Sequence, residues 1–102
     1  MAKIIWTEPA LGYLNAIADY IAKNNPNAAN RLVRRVFESV DLLEQFPELG
    51  RRVPEMRKSG YREMIVSPCR IIYRVEGETV VVIFVMRGER ELKPQEIIDA
   101  DL

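Results

Sequence analysis

Two hydrophobic periods divide the chain. Lys3–Trp6 is short, β-branched and apolar, which predicts a strand over residues 3–6. Ala10, Leu11, Leu14, Ile17, Ala18 and Ile21 then recur at helical spacing and form one apolar stripe. Thr7 precedes the stripe as a hydroxyl cap, with Glu8 in the first turn and Pro9 where its missing N–H costs nothing, so a helix is expected over residues 8–23. Asn24-Asn25-Pro26 ends that helix and opens another, with Asn25 as cap and Pro26 at the first helical position. Ala29, Leu32, Val33, Val36, Val40 and Leu43 give the second helix its apolar side. Arg31, Arg34, Arg35, Glu38 and Asp41 give it a solvated one, with Arg34 and Glu38 spaced as an i,i+4 pair. This helix is expected over 26–46, stopping at Phe46-Pro47, and so short a turn folds the two helices into an antiparallel hairpin.

The period then drops to that of strands. Residues 47–60 hold prolines, glycines and a basic cluster and read as a surface loop. Strands are expected over 61–66, 70–75 and 79–87, broken at Ser67-Pro68 and turned at Glu76-Gly77. A two-residue turn there puts Tyr73 and Ile71 on one face with Val80 and Val82, and Arg70 and Arg74 on the other. The hairpin should cover the Ile71/Tyr73 face and leave the arginine face open to a partner. The side to which Arg62 points depends on the Ser67–Cys69 turn, since one loop residue reverses the parity. Residues 91–102 form an acidic tail containing Leu92, Ile97 and Ile98, either a short helix after Pro94 or a disordered end. The pattern is α+β: β-α-α-β-β-β, a helical hairpin packed on one face of a small, mostly antiparallel sheet.

Composition narrows the chemistry. A chain of 102 residues supports a single domain with one modest core. No apolar run reaches the ~20 residues of a membrane-spanning helix, and residues 1–6 lack the apolar core of a secretory signal. One cysteine, Cys69, cannot form an internal disulfide and suits a cytoplasmic setting. There is no histidine, so the commonest acid–base group and metal ligand is missing, and neither a metal nor another cofactor is expected. The formal net charge of zero hides a segregation. Arg51, Arg52, Arg57, Lys58, Arg62, Arg70 and Arg74 face only Glu55 and Glu63 between residues 51 and 74, while acids dominate from Glu89 onward. Arginines on a strand meander are a means of gripping an anion, and Arg70, Arg74, Arg87 and Arg90 are the candidates. Each also has a plainer reading as a surface ion-pair partner.

Several segments, in order, resemble the RelE/ParE superfamily of toxins from bacterial type II toxin–antitoxin systems. They are Ile5-Trp6-Thr7, Asp19-Tyr20-Ile21-Ala22, Asn25-Pro26-Asn27-Ala28-Ala29, Phe46-Pro47-Glu48-Leu49-Gly50-Arg51, Val53-Pro54-Glu55, Arg62-Glu63-Met64-Ile65-Val66, Arg70-Ile71-Ile72-Tyr73-Arg74-Val75 and Val85-Met86-Arg87-Gly88-Glu89-Arg90. The resemblance implies a small cognate antitoxin, of ribbon-helix-helix type, whose C-terminal segment wraps the toxin. It leaves two activities: RelE-like cleavage of mRNA on the ribosome, without a metal, and ParE-like poisoning of DNA gyrase. For cleavage the matching positions are Arg70 and Arg90, with Arg62 where lysine is frequent. Met64 stands where a second lysine is expected, and the C-terminal tyrosine of many members is absent, with Glu96 near its place.

RNA cleavage through the 2′-OH needs a proton acceptor, and arginine, with a pKa above ~12, is a poor one. The long hairpin with its Asn-Pro-Asn-Ala-Ala turn is similar to the ParE branch. The favoured reading is therefore a gyrase-binding toxin that is not an enzyme; the alternatives are a ribosome-dependent RNase and a degenerate module that only binds antitoxin. Tyr13, Tyr20, Phe37 and Leu42 are the candidates for an antitoxin groove, unless they simply close the core.

Overall fold

The computed structural model describes residues 1–102. Its elements are β1 (Lys3–Trp6), α1 (Glu8–Ala22), α2 (Pro26–Asp41), β2 (Arg51–Arg52), β3 (Arg62–Val66), β4 (Cys69–Glu76), β5 (Thr79–Arg87) and α3 (Pro94–Ala100). The strands form one sheet in the order β1-β5-β4-β3-β2, with β1 parallel to β5 and every other pair antiparallel.

Local chemistry sets the helix starts. Thr7 Oγ1 accepts the Ala10 N–H at 3.1 Å and Asn25 Oδ1 accepts the Ala28 N–H at 3.0 Å, so each cap satisfies a donor the first turn leaves unpaired. At its far end α2 is shorter than expected. The helix stops at Asp41 and Leu42–Glu44 tightens into a 3₁₀ turn, the form in which helix ends commonly close, ahead of Pro47. The loop after it contains β2, a two-residue edge strand that pairs Arg51 with Glu63 and Arg52 with Arg62. Two arginines carry no hydrophobic alternation, so the pattern gave no sign of it.

The β4–β5 register corrects the expected turn. Glu76 pairs with Thr79, so the turn residues are Gly77 and Glu78, and Gly77 takes φ +60°, the sign that the first turn position of a mirror-image hairpin requires. This register lies two positions from the expected one, which preserves facing: Tyr73 pairs with Val82 on the side of Val80. A bulge between Ile72 and Tyr73 then shifts the ladder by one, bringing Val85 opposite Ile71 and turning Phe84 and Met86 to the other face.

Both faces are buried, by different elements. Leu14 of α1, Leu32, Val36 and Val40 of α2, and Leu43 pack on Ile71, Tyr73, Val80, Val82 and Val85. Burying each such aliphatic side chain is worth roughly 1.5–3 kcal/mol. The opposite face carries a second apolar cluster of Ile72, Val81, Ile83, Phe84 and Met86 with Val53, Leu92 and Ile97. Ile97 comes from α3, so the acidic tail is a helix docked on the face expected to lie open. The physical reason is the strand composition: Ile72, Val81 and Ile83 would otherwise face water.

Candidate functional site

Strand parity divides the arginines. Arg70 lies opposite Ile65 and Met86, and Arg74 opposite Val81, which places both on the α3 face. Arg62 lies opposite Tyr73 and Arg87 opposite Cys69, which places both on the helical-hairpin face. Arg90 follows the last strand. No common site brings all five together; Arg87 and Arg90 alone line the same groove.

Each arginine has local partners. Arg70 is 8% exposed. Its Nε donates to Glu63 Oε1 at 2.9 Å, while Nη1 and Nη2 donate to the two oxygens of Glu55 at 3.0 and 2.8 Å. Arg51 Nε closes the cluster on Glu63 Oε2 at 2.7 Å. Two carboxylates thus surround the Arg70 guanidinium and raise its pKa still further, first through the Glu55 hydrogen bonds and then through Glu63. In return Arg70 holds the Glu55 carboxyl below its usual range. Arg74 donates to Glu76 at 2.6 Å and to Asp101 at 2.9 Å. Arg62 Nη1 donates to the Gly50 carbonyl at 2.8 Å. Arg90 Nη1 donates to Glu96 Oε1 at 2.8 Å. The lone residue with a carboxylate out of line is Arg87: Glu89 lies 2.6 Å from its Nε as an ion pair, without a directed hydrogen bond.

Proton acceptors are scarce around them. The Tyr73 hydroxyl donates to the Pro47 carbonyl at 2.8 Å and accepts the Gly50 N–H at 2.9 Å, and burial pushes its pKa up. The Tyr61 hydroxyl donates to Asp101 at 2.8 Å; burial first, and then that carboxylate, raise its pKa too. The Cys69 thiol is buried and likewise pushed up, by burial above all. None of these is a base near neutrality. No group of three or more His, Cys, Asp or Glu residues is arranged to hold a metal ion.

The larger concave feature lies elsewhere. The β1–β5 ladder ends at Trp6 opposite Val82, and beyond it α1 runs alongside the second half of β5. Between them is an open groove of about 650 Å³, lined mainly by Tyr13, Ile17 and Tyr20 of α1 and by Phe84, Met86 and Arg87 of β5. Tyr13 and Phe84 meet edge to face, centroids 4.7 Å apart. Tyr20 is 58% exposed, and both Arg87 Cζ, at 5.7 Å, and Lys23 Nζ, at 5.8 Å, lie over its ring. Of the groove candidates, Tyr13 and Tyr20 meet here. Phe37 instead packs on Trp6, centroids 4.9 Å apart, and Leu42 is exposed away from the groove. Phe84 and Met86 escaped the sequence reading because only the bulge turns them toward this edge.

The sheet order and the helical hairpin find their match in known proteins. A family model described as the ParE toxin of a type II toxin–antitoxin system, parDE, matches residues 4–92. The chain belongs to the ParE toxin family. Toxin RelE2 of Caulobacter vibrioides is 35% identical over 91 residues, covering 88% of this chain and 99% of that protein. Toxin ParE3 of the same organism is 31% identical over 96 residues, covering 93% and 95%. A solved structure described as the chromosomal ParDE TA system from P. aeruginosa superimposes with a TM-score of 0.73 at 28% identity, covering 87% of this chain and 98% of that one. As a ParE-family toxin of a type II system, the chain has a cognate antitoxin as its partner. No helix is long and apolar enough to cross a membrane. Residues 93–102, which contain α3, lie beyond the matched span of the ParE model.

Proposed function

We propose that this ParE-family toxin acts by binding DNA gyrase in the cytoplasm and does not cleave RNA. The observation that carries this reading is the state of Arg70. A guanidinium that stabilises a cleaving phosphate must be free to meet it, and this one is buried and already met by Glu55 and Glu63. The other cleavage candidates, Arg62 and Arg90, lie apart from it, and Tyr61 and Tyr73 are hydrogen-bonded and shifted away from proton acceptance. A protein-binding mechanism asks for none of that chemistry.

Silencing follows from the groove. The α1–β5 groove offers an aromatic floor, a fit for an amphipathic C-terminal segment of a ribbon-helix-helix antitoxin. Acids of that segment would exchange with Glu89 and Glu96 for the half-exposed Arg87 and Arg90 on its rim. The deciding experiment is DNA supercoiling by gyrase with purified toxin added. Inhibition, or accumulation of cleaved DNA, that is reversed by antitoxin supports the proposal. Cleavage of mRNA in a translation extract, with supercoiling unaffected, overturns it.

A further inference from the structure

We propose that one side of the molecule, formed by α2, β2 and the loop after β2, binds the phosphate backbone of duplex DNA. The side chains are Arg31, Arg34 and Arg35 of α2, Arg52 of β2, and Arg57 and Lys58 of the loop. All six are exposed, and none has a carboxylate within ion-pair distance. Of the other arginines, Arg51, Arg70, Arg74, Arg87 and Arg90 each pair with a carboxylate and Arg62 is held by the Gly50 carbonyl, which makes this side distinct. Arg34 does not pair with Glu38 despite their i,i+4 spacing. It lines one depression of about 470 Å³ with Ala28, Arg31 and Arg35. Three like charges a turn apart are mildly destabilising in a helix, a cost that a polyanion would remove.

The two cationic groups are continuous. Arg35 Nη2 reaches across from α2 to donate to the Ser67 carbonyl at 3.0 Å. Ser67 lines the next depression with Arg51 and Pro54, and these two, with Arg52 and Arg57, line a third. Of the acids near the band, Glu55 is spent on Arg70 and Glu89 on Arg87, which leaves Glu38, one turn beyond Arg34, against six cations. The acidic α3 lies outside it. Although the chain as a whole is neutral, its field is therefore strongly asymmetric.

Apolar content decides the kind of partner. A peptide is anchored by buried aromatic or aliphatic side chains, and the α1–β5 groove supplies such seats. The lining of the outer two depressions offers little beyond Ala28 and Pro54 between the arginines, so contact there is with charge alone. Rows of arginine without apolar pockets suit phosphates, which position a duplex without reading its sequence.

The test is fluorescence anisotropy of a labelled 20-bp duplex with the full-length toxin over a range of KCl, in the absence of gyrase. Binding is expected with a dissociation constant of about 10⁻⁴–10⁻⁶ M that weakens steeply with salt and is insensitive to sequence. The Arg31→Gln/Arg34→Gln variant should flatten the slope of log K against log [salt] by about 2, at roughly 0.9 per phosphate contact. Arg52→Gln/Arg57→Gln should do the same, and Lys3→Gln/Lys93→Gln should not. All the altered side chains are exposed, and unchanged circular dichroism and melting temperature certify the fold. Absence of binding at 50 mM KCl, slopes that ignore the arginine variants, or tighter binding of single-stranded RNA or an acidic peptide would each overturn the proposal. Because gyrase is absent, the result stands apart from the proposed target.

Discussion

Glu63 and Arg70 are diagonal neighbours across β3 and β4, and together they bury an ion pair in the α3 face of the sheet, Nε to Oε1 2.9 Å. Breaking one side of such a pair leaves a charge without its partner in low dielectric. Glu63→Ala is expected to destabilise the fold by roughly 3–5 kcal/mol in urea denaturation. Replacing both by apolar residues, Glu63→Leu with Arg70→Met, should recover most of that loss. A single substitution that costs under about 1 kcal/mol would show that the pair is not the buried unit described here.

Gly50 has no room for a side chain. A Cβ there would lie 2.6 Å from both the Glu63 carbonyl oxygen and the Tyr73 hydroxyl. Gly50→Ala must therefore shift backbone or evict the tyrosine, and a loss of about 2–4 kcal/mol is expected, in the range of severe core substitutions. Tyr73→Phe keeps the ring but leaves the Gly50 N–H without its acceptor, at a cost of about 1–3 kcal/mol. Melting temperatures of the two variants check both, and a wild-type melting point for Gly50→Ala would refute the close approach.

Acid should weaken the fold in a defined window. The Glu55 carboxyl is held below its ordinary value of 4.5, mainly by Arg70, and Glu96 below 4.5 mainly by the Lys93 N–H and then by Arg90. Both are ionised more readily folded than unfolded, so the unfolded chain binds more protons in acid. Their contribution is complete above pH 4.5 and drains away as pH falls through the lowered folded values. Urea midpoints from pH 7 to 3 should drop more steeply for wild type than for Glu55→Gln/Glu96→Gln. Parallel curves would contradict the assignment.

Antitoxin affinity should concentrate in the α1–β5 groove. Tyr13→Ala and Tyr20→Ala each remove an aromatic anchor and should weaken the complex by about 2 kcal/mol, near 30-fold, by calorimetry. Tyr20→Ala also removes the ring over which Arg87 and Lys23 lie. If both variants bind antitoxin like wild type, the groove is not the docking site.

Removing residues 93–102 strips α3 and with it the fully buried Ile97 and the Arg74–Asp101 pair. The Tyr61 hydroxyl loses its acceptor at the same time. The truncated chain should melt earlier and bind ANS through the uncovered Ile72, Val81 and Ile83. Melting and ANS fluorescence equal to wild type would mean that α3 is not a structural cover.

Much of the fold was legible because it is written in local signals. Thr7 and Asn25 with their prolines fix both helix starts, and the alternation around Ile71, Tyr73, Val80 and Val82 fixes the core face. What was hidden depends on contacts remote in the chain. The bulge opposite Ile72 reassigns Phe84 and Met86, and nothing in their own sequence shows it. Arg51-Arg52 became a strand only because the β3 edge offered a ladder. At the candidate site, the arginines were visible one by one, but their facing was not: Arg62 and Arg70 look alike in sequence and lie on opposite faces. The partners that quench Arg70 stand 7 and 15 residues away.

The parallel pairing of Lys3–Trp6 with Thr79–Val82 has a consequence for synthesis. Lys3–Trp6 bonds to a strand that leaves the ribosome much later, so this long closure must wait for β5. A nascent chain ending before Thr79 has α1 but no central strand to receive Leu14, and it has neither Phe84 nor Met86 to line the groove. The groove therefore matures only with β5, and translation products abandoned before it lack both the groove and the sheet's central ladder.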